Sequence, residues 1–258
     1  MGNKVKRESA KKKYEGMVYS SNNNGDVVVL EYRSAKEVVV KFINSGYTTT
    51  AEMSCVKHGT IKDITAPTLQ GVGISGSELK KGKDGKILKE YQTWRDMILR
   101  CYNEKLHKKY PTYIGCTTSE NFNHYDYFKQ WCSKQVGFGN GGFELDKDIL
   151  VKGNKIYSED TCCFVPREIN SLFGSNKRNR GEYPIGVTYK EKDKLFCAVA
   201  TTSKSSKHIG AFRTPEEAFQ AYKQAKEAYI KEVAEKWRDK IDPRVYEALM
   251  NWEICYHD

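Results

Sequence analysis

The residues of this sequence best suited to a charged partner are lysines and arginines that cluster between positions 174 and 214. This stretch holds nine basic and three acidic residues, whereas positions 215–258 hold seven basic and ten acidic ones. The basic members are Lys177, Arg178, Arg180, Lys190, Lys192, Lys194, Lys204, Lys207 and Arg213. Such a surplus favours phosphate contacts, because each cationic side chain can neutralise one charge of a nucleic-acid backbone.

Cysteine is the other residue type that could carry chemistry, as a zinc ligand. The eight cysteines are scattered and include no CxxC pair. Structural zinc needs four ligands, generally with one close-spaced pair. Cys162 and Cys163 are adjacent and would point to opposite sides of a strand. We therefore expect buried, reduced cysteines and no zinc site.

Bulk composition limits the class of partner. The chain has 258 residues and a net charge of +10, which suits a polyanion, either nucleic acid or an anionic membrane surface. No stretch approaches the ~18 apolar residues of a membrane-spanning helix. The basic segment from Met1 to Lys13 is not followed by the apolar segment of a secretory signal. We expect a soluble, intracellular protein of two or three domains.

The N-terminal third is predicted to be an arm, a sheet and a linker. Residues 1–13 are predicted to form a flexible basic arm, which either lies along the phosphates of a nucleic acid or is a solvated tail. Residues 14–75 contain short β-branched runs and turn clusters, which predict a small β barrel or curled sheet. Residues 76–88 mix glycine with lysine and read as a linker.

Two helices with aromatic faces are predicted in the middle of the chain. From Leu88 onward, apolar residues recur at helical spacing through Tyr102, and a second such stripe runs from Phe122 to Cys132. We interpret both stripes as core rather than ligand sites.

The C-terminal region predicts three strands and one long helix. Residues 184–189, 195–200 and 208–212 alternate with polar turns. Thr214, Pro215 and Glu217 form a capping box with proline at the first helical position. The helix should bury a stripe formed by Ala218, Ala221, Tyr222, Ala225, Tyr229, Val233 and Trp237.

This region resembles the AP2/ERF DNA-binding domain over about 55 residues, through Ile185-Gly186-Val187, Phe196-x-Ala198 and the run from Ile209 to Tyr222, and we assign residues 181–258 to an AP2/ERF-like domain. The resemblance implies that the sheet enters the major groove of duplex DNA. The expected contacts are Arg178, Arg180, Thr188, Lys190, Lys192, Lys194, Thr202, Lys204, Lys207 and Arg213. Lysine suits phosphate contact better than bidentate readout of guanine, so modest sequence specificity is expected.

Residues 89–173 resemble phage HNH endonucleases that carry a C-terminal AP2 domain, through Trp94 to Tyr102, Leu145 to Ile149, Gly153 to Ser158 and Asn170. The resemblance implies a ββα domain in which Asp146 and Asn170 bind Mg²⁺ beside the scissile phosphate. The general-base histidine is replaced by Lys147, and Thr161 stands where a loop-bracing asparagine is expected. Beside Asp146 and Asp148, Lys147 should stay protonated and salt-bridged; His124 or Asp148 could substitute as the base.

The sequence thus predicts an α+β protein with a small all-β N-terminal domain, an HNH-like ββα middle domain and an AP2/ERF-like sheet plus long helix. It is expected to bind double-stranded DNA, and the resemblance implies a bacteriophage protein in the cytoplasm of an infected bacterial host. One alternative is a Mg²⁺-dependent endonuclease, and another is an inactive regulator or counter-defence factor. A third is a protein–protein interaction factor that acts through residues 14–75.

Overall fold

A computed structural model describes residues 2–22, 24–173, 182–201 and 206–256 of the chain. The fold is mixed α+β, as predicted, and it divides into two compact units. The first contains the described residues of Met1–Asn103 and Asn123–Tyr127; the second contains those of Glu104–Phe122 and Phe128–Asp258. Within the described ranges no helix is long and apolar enough to cross a membrane.

The first unit begins with a helix, α1, at Gly2–Tyr14, in place of the flexible arm that we predicted for residues 1–13. Ala10 and Tyr14 are one turn apart, and both pack against the core of the following sheet. The rings of Tyr14 and Tyr32 lie 5.2 Å apart. Two apolar anchors therefore hold the end of this lysine-rich helix, a signal too small to recognise in the sequence.

The following sheet is an antiparallel meander in the order β1-β2-β3-β4. Its strands are β1 (Val18–Ser21), β2 (Gly25–Ser34), β3 (Glu37–Phe42) and β4 (Thr48–Ala51). Val27, Val29, Val38, Val40 and Phe42 alternate along β2 and β3 and are almost fully buried. The two β-branched strands β2 and β3 pair with one another as a hairpin. A short helix, α2 (Met53–Lys57), covers the core, and β5 (Pro67–Leu69) pairs with β6 (Gly73–Ile74).

The segment predicted as a linker, residues 76–88, is anchored within the first unit. The Asp126 carboxylate accepts hydrogen bonds from the backbone amides of Ser77 at 2.9 Å and Glu78 at 3.1 Å. The predicted helix follows as α3 (Lys89–Tyr102), whose Trp94 is fully buried. Trp94 lies so close to Gly73 that a Cβ at position 73 would come within 3.1 Å of its ring. This close approach packs α3 against the β5–β6 hairpin.

The second unit begins with α4 (Glu104–Lys109), a 3₁₀ turn at Pro111–Tyr113, and β7 (Thr117–Thr118). The second predicted aromatic helix is divided into α5 (Glu120–Asn123) and α6 (Tyr125–Ser133). The Phe122 ring packs edge to face on Phe128 and Trp131, and the rings of Phe128 and Trp131 are tilted; the centroids lie 4.8–5.5 Å apart. These rings are core residues, as the spacing predicted.

A strand–strand–helix motif follows: β8 (Phe143–Asp146), β10 (Cys163–Pro166) and α7 (Arg167–Asn170), with β9 (Ile156–Tyr157) between the two strands. β8 and β10 are antiparallel, and Asp146 pairs with Cys163. β9 pairs in parallel with β7, which attaches the long β8–β10 loop to the segment before it. Two antiparallel strands and a short helix thus follow one another along this part of the chain.

The C-terminal part is an antiparallel sheet of β11 (Val187–Lys190), β12 (Leu195–Thr201) and β13 (Ser206–Phe212), followed by α8 (Pro215–Trp237) and α9 (Pro243–Met250). The predicted capping box is confirmed, because Thr214 and Glu217 cap one another's backbone amides. Gly186 has a φ of +77°, and the Tyr222 ring occupies the space that a side chain at position 186 would need. α8 thus packs closely on the sheet.

The buried stripe of α8 differs from the predicted one. The buried residues are Ala218, Phe219, Tyr222, Lys226, Ile230, Val233 and Ala234, whereas Ala221, Ala225 and Tyr229 are only half-buried. Trp237 does not face the sheet: its indole donates a 2.7 Å hydrogen bond to Glu168 of α7, and its ring lies 6.0 Å from Phe143 of β8. The end of α8 therefore fastens the C-terminal sheet to the strand–strand–helix motif.

Candidate nucleic-acid interface and metal site

Asp146 ends β8 and organises the chain that follows. Its Oδ1 accepts backbone hydrogen bonds from Asp148 at 2.9 Å and Ile149 at 2.8 Å. Loss of solvent and the nearby charge of Asp148 raise the pKa of its carboxyl to about 6, although the two amides and Lys147 oppose the shift. Asp146 is therefore both a turn-forming residue and a carboxylate with an unfavourable charge.

Lys147 is built into the β8–β10 loop. It is only 8% exposed, and its ammonium donates to Asp148 Oδ2 and to the Asn154 carbonyl, each at 3.0 Å. The ammonium also lies 5.8 Å from the centre of the Tyr157 ring. The predicted ion pair with Asp148 is confirmed. Both hydrogen bonds of the Lys147 side chain are therefore made within the β8–β10 segment itself.

The loop is braced by a residue that our sequence reasoning did not select, Asn154. Its side-chain amide donates 2.7 Å hydrogen bonds to the carbonyls of Lys147 and Ile156, and its Oδ1 accepts from the Ile156 amide at 3.1 Å. Thr161 adds a second brace, donating to the Ile156 carbonyl at 2.7 Å. The Gly153-Asn154 pair, typical of a turn, was the available signal.

Asn170, at the end of α7, contacts the carboxylate of Glu144, which was not among the predicted site residues. Its Nδ2 donates to Glu144 Oε2 at 2.8 Å, and Arg167 donates to Glu144 Oε1 at 3.1 Å. Glu144 and Asp146 are two residues apart on β8 and so share a face of the strand. The oxygen-bearing side chains of this face are thus Glu144 and Asp146, with Asn170 held against Glu144.

The described ranges contain no group of three or more histidine, cysteine, aspartate or glutamate residues that is placed to hold a metal ion. Cys162 and Cys163 are buried, and burial raises the pKa of both thiols far above its usual value, which disfavours the thiolate form that zinc requires. His124 is exposed and bridges to Ile74 in the first unit, whereas the contacts that fix Asp146 and Lys147 are all in the second.

The C-terminal sheet has two different faces, which its register defines. Val187 pairs with Ala198, and both are buried on the side where α8 packs. Thr188 pairs with Cys197, which pairs with Ala211, and Lys190 pairs with Leu195. Beyond a bulge, Val199 pairs with His208. We call the side defined by these last pairs the Thr188 face; its members are Thr188, Lys190, Leu195, Cys197, Val199, His208 and Ala211.

Four members of the Thr188 face are exposed in the part of the chain that the structure describes. Thr188, Lys190, His208 and Ala211 are exposed, and the small Cys197 lies buried between Thr188 and Ala211. Exposed Lys192 and Lys194 extend it through the β11–β12 turn, where Lys194 has a φ of +53°. A flat surface of small and cationic side chains can approach a polyanion closely. His208 was not selected from the sequence.

The other predicted contacts lie elsewhere. Lys207 pairs with buried Ala200 and so belongs by register to the opposite face. The Arg213 backbone amide donates to Glu217 in the cap of α8, with its side chain in an exposed position. Arg178, Arg180, Thr202 and Lys204 lie outside the described residues.

Comparisons with known protein families, curated proteins and solved structures found no match to this chain.

Proposed function

We propose that this protein binds double-stranded DNA through the Thr188 face and its adjoining turn. The proposal rests on the difference between the two sides of the C-terminal sheet. One side is buried under α8, and the other exposes Thr188, Lys190 and His208. A three-stranded sheet of this shape fits the major groove, and lysine and threonine suit phosphate oxygens. The resemblance of residues 181–258 to the AP2/ERF domain supports the same orientation.

The experiment compares charge reversals on the two sides of this region. Lys190→Glu on the Thr188 face should weaken duplex binding by about tenfold or more, because an attraction for phosphate becomes a repulsion. Lys231→Glu, on the exposed side of α8, makes the same charge change as a control. Equal losses in both variants, measured by fluorescence anisotropy with labelled duplex, would overturn the assignment of this face.

In the binding role, the strand–strand–helix motif serves as a scaffold. The residue beside the predicted metal carboxylate, Lys147, is tied to Asp148 and Asn154 and so supplies no base. The contacts of Trp237 and Lys236 with Glu168 join α7 to the end of α8. The motif thereby supports the sheet that faces DNA.

DNA cleavage is a second candidate, favoured by the placement of Glu144 and Asp146 on one strand face with Asn170 held against Glu144. Carboxylate and amide oxygens are ligands that Mg²⁺ accepts, so the donor types fit. Asp146 and Asn170 would hold the ion, as the resemblance to HNH endonucleases implies. A bound Mg²⁺ would stabilise charge on the leaving oxygen.

Incubation with supercoiled plasmid, with and without Mg²⁺, separates the two candidates. The scaffold role predicts no nicking by the wild type. Mg²⁺-dependent nicking that is lost in Asp146→Ala with duplex affinity retained would establish cleavage instead. Lys147→His restores a titratable base beside the carboxylate, and nicking gained only in this variant would mark a lapsed nuclease.

A further inference from the structure

A second surface in the same unit carries tyrosine and lysine side chains, and the proposed duplex-binding face does not use it. We call it the Tyr110 surface; its members are Lys105, Lys108, Lys109, Tyr110, Ile114 and Lys155. It is formed by α4, the 3₁₀ turn that follows, and the β8–β10 loop. The Lys155 ammonium donates to the Thr112 carbonyl at 2.6 Å, and the Thr117 amide donates to the Lys155 carbonyl at 2.9 Å. The two segments therefore form one fixed surface.

The two large apolar side chains of this surface are exposed. Tyr110 is 44% exposed and Ile114 is 57% exposed. The Tyr110 ring lies 6.4 Å from the Tyr113 ring in an edge-to-face arrangement, and the Lys109 ammonium lies 5.1 Å from the Tyr110 ring centre. An aromatic ring is thus presented with its orientation set by a neighbouring ring and with positive charge beside it.

The charge around Tyr110 is strongly biased. Lys105, Lys108 and Lys109 recur at helical spacing on α4 and are exposed, as is Lys155. Glu104 is the single acidic residue between positions 104 and 118. A polyanion is therefore the complementary partner. The exposed Tyr110 ring and Ile114 favour a polyanion that also carries flat apolar groups.

We propose that the Tyr110 surface binds an unpaired strand of DNA, with a base stacked on Tyr110 and the flanking phosphates on the lysines. Base stacking on an aromatic side chain beside a cationic groove is how single strands are held without sequence readout. A duplex cannot satisfy the ring, because its base faces are already stacked on one another. This inference rests on the proposed DNA-binding function and adds a second kind of DNA site to it.

The test measures the affinity of the full chain for labelled oligo(dT) and for a duplex. Tyr110→Ala should weaken oligo(dT) binding by about tenfold or more, whereas Tyr110→Phe, which keeps the ring, should stay within about twofold of wild type. The duplex affinity of Tyr110→Ala should also stay within about twofold of wild type. Tyr127→Ala removes another exposed tyrosine, from the first unit, and serves as the matched control.

Wild-type affinity for oligo(dT) in Tyr110→Ala would overturn the inference, as would absence of oligo(dT) binding by the wild type or tighter binding of oligo(U) than of oligo(dT). The two proposals fail separately. If Lys190→Glu does not weaken duplex binding, the proposed duplex-binding face is wrong. A Tyr110-dependent affinity for oligo(dT) would survive that result. Melting curves show whether each variant is folded, and exposed Tyr110 should tolerate replacement by alanine.

Discussion

The strand–strand–helix motif and the C-terminal sheet use their polar residues in opposite ways. In the motif, Asp146, Lys147 and Asn154 point into the β8–β10 loop and bind its backbone or one another. In the sheet, Thr188 and Lys190 are exposed on the side opposite α8. Both regions contain residue types that could do chemistry, but Lys147 is buried and Asp146 and Asn154 are half-buried, whereas Thr188 and Lys190 are exposed.

This difference shows why residue type and order do not establish a catalytic site. A side chain that already satisfies buried backbone groups cannot leave them without leaving those groups unpaired, at a cost of about 1–3 kcal/mol for each. Lys147 is in that position. The exposed lysines of the sheet lose little when they exchange water for phosphate, and they gain from counterion release.

The largest expected effect concerns the support of the sheet. Tyr222→Ala should destabilise the second unit by about 3 kcal/mol or more, because it removes a buried ring that packs against Gly186. Duplex binding should then be lost together with the fold, as followed by hydrogen exchange of the β12 amides. Tyr110→Ala makes the same chemical change at an exposed position and is the control. A folded Tyr222→Ala variant with selective loss of DNA binding would place Tyr222 at the interface.

A smaller effect is expected for the charge of Asp146. Burial and Asp148 raise the carboxyl pKa from 3.8 to about 6, so the folded state holds this proton more tightly than the unfolded state. The contribution to stability is therefore complete below about pH 4 and is lost as the pH rises through 6, an effect of up to about 3 kcal/mol. Asp146→Asn keeps the Oδ1 acceptor without the charge.

Urea unfolding in EDTA between pH 4 and pH 8 checks this prediction. Asp146→Asn should be more stable than the wild type at high pH, with a flatter pH profile. Asp160→Asn, at an exposed position in the same loop, should follow the wild type. An Asp146→Asn variant that is less stable than the wild type at pH 8 would show that the carboxylate charge is favourable where it lies.

The smallest of the stability effects concerns the brace of the loop. Asn154→Ala removes hydrogen bonds to Lys147 and Ile156 and should cost about 1–2 kcal/mol, with faster hydrogen exchange at the Ile156 amide. Duplex affinity should not change, because Asn154 acts within the motif. Asn121→Ala, which loses one exposed contact with Glu159, is the control. A matching loss of duplex affinity would connect the loop to the DNA interface.

The fold was largely predictable where the chain carries strong local signals. The strands of the C-terminal sheet follow from β-branched runs between turns, and the start of α8 follows from Thr214, Pro215 and Glu217. The buried stripe of α8 was not predictable in full. Lys226 is buried on it, and Trp237 turns toward Glu168, because tertiary contacts rather than helical period decide the ends of the stripe.

Much less of the candidate site was predictable. The ion pair of Lys147 with Asp148 follows from their adjacency, and it was predicted. The contact of Asn170 with Glu144 joins residues that are 26 positions apart, so it depends on how β8 and α7 meet. The helix α1 was missed for the same kind of reason, since contacts of Ala10 and Tyr14 with the following sheet hold this lysine-rich segment.

Phosphate contact by the Thr188 face is central to the proposed function, and the salt dependence of duplex affinity tests this contact most directly. The logarithm of the wild-type association constant should fall linearly with the logarithm of salt concentration. Lys190→Gln should reduce that slope by about 1, and Lys231→Gln should leave it unchanged. A slope that is flat in the wild type, or equal in the wild type and Lys190→Gln, would contradict the proposed interface.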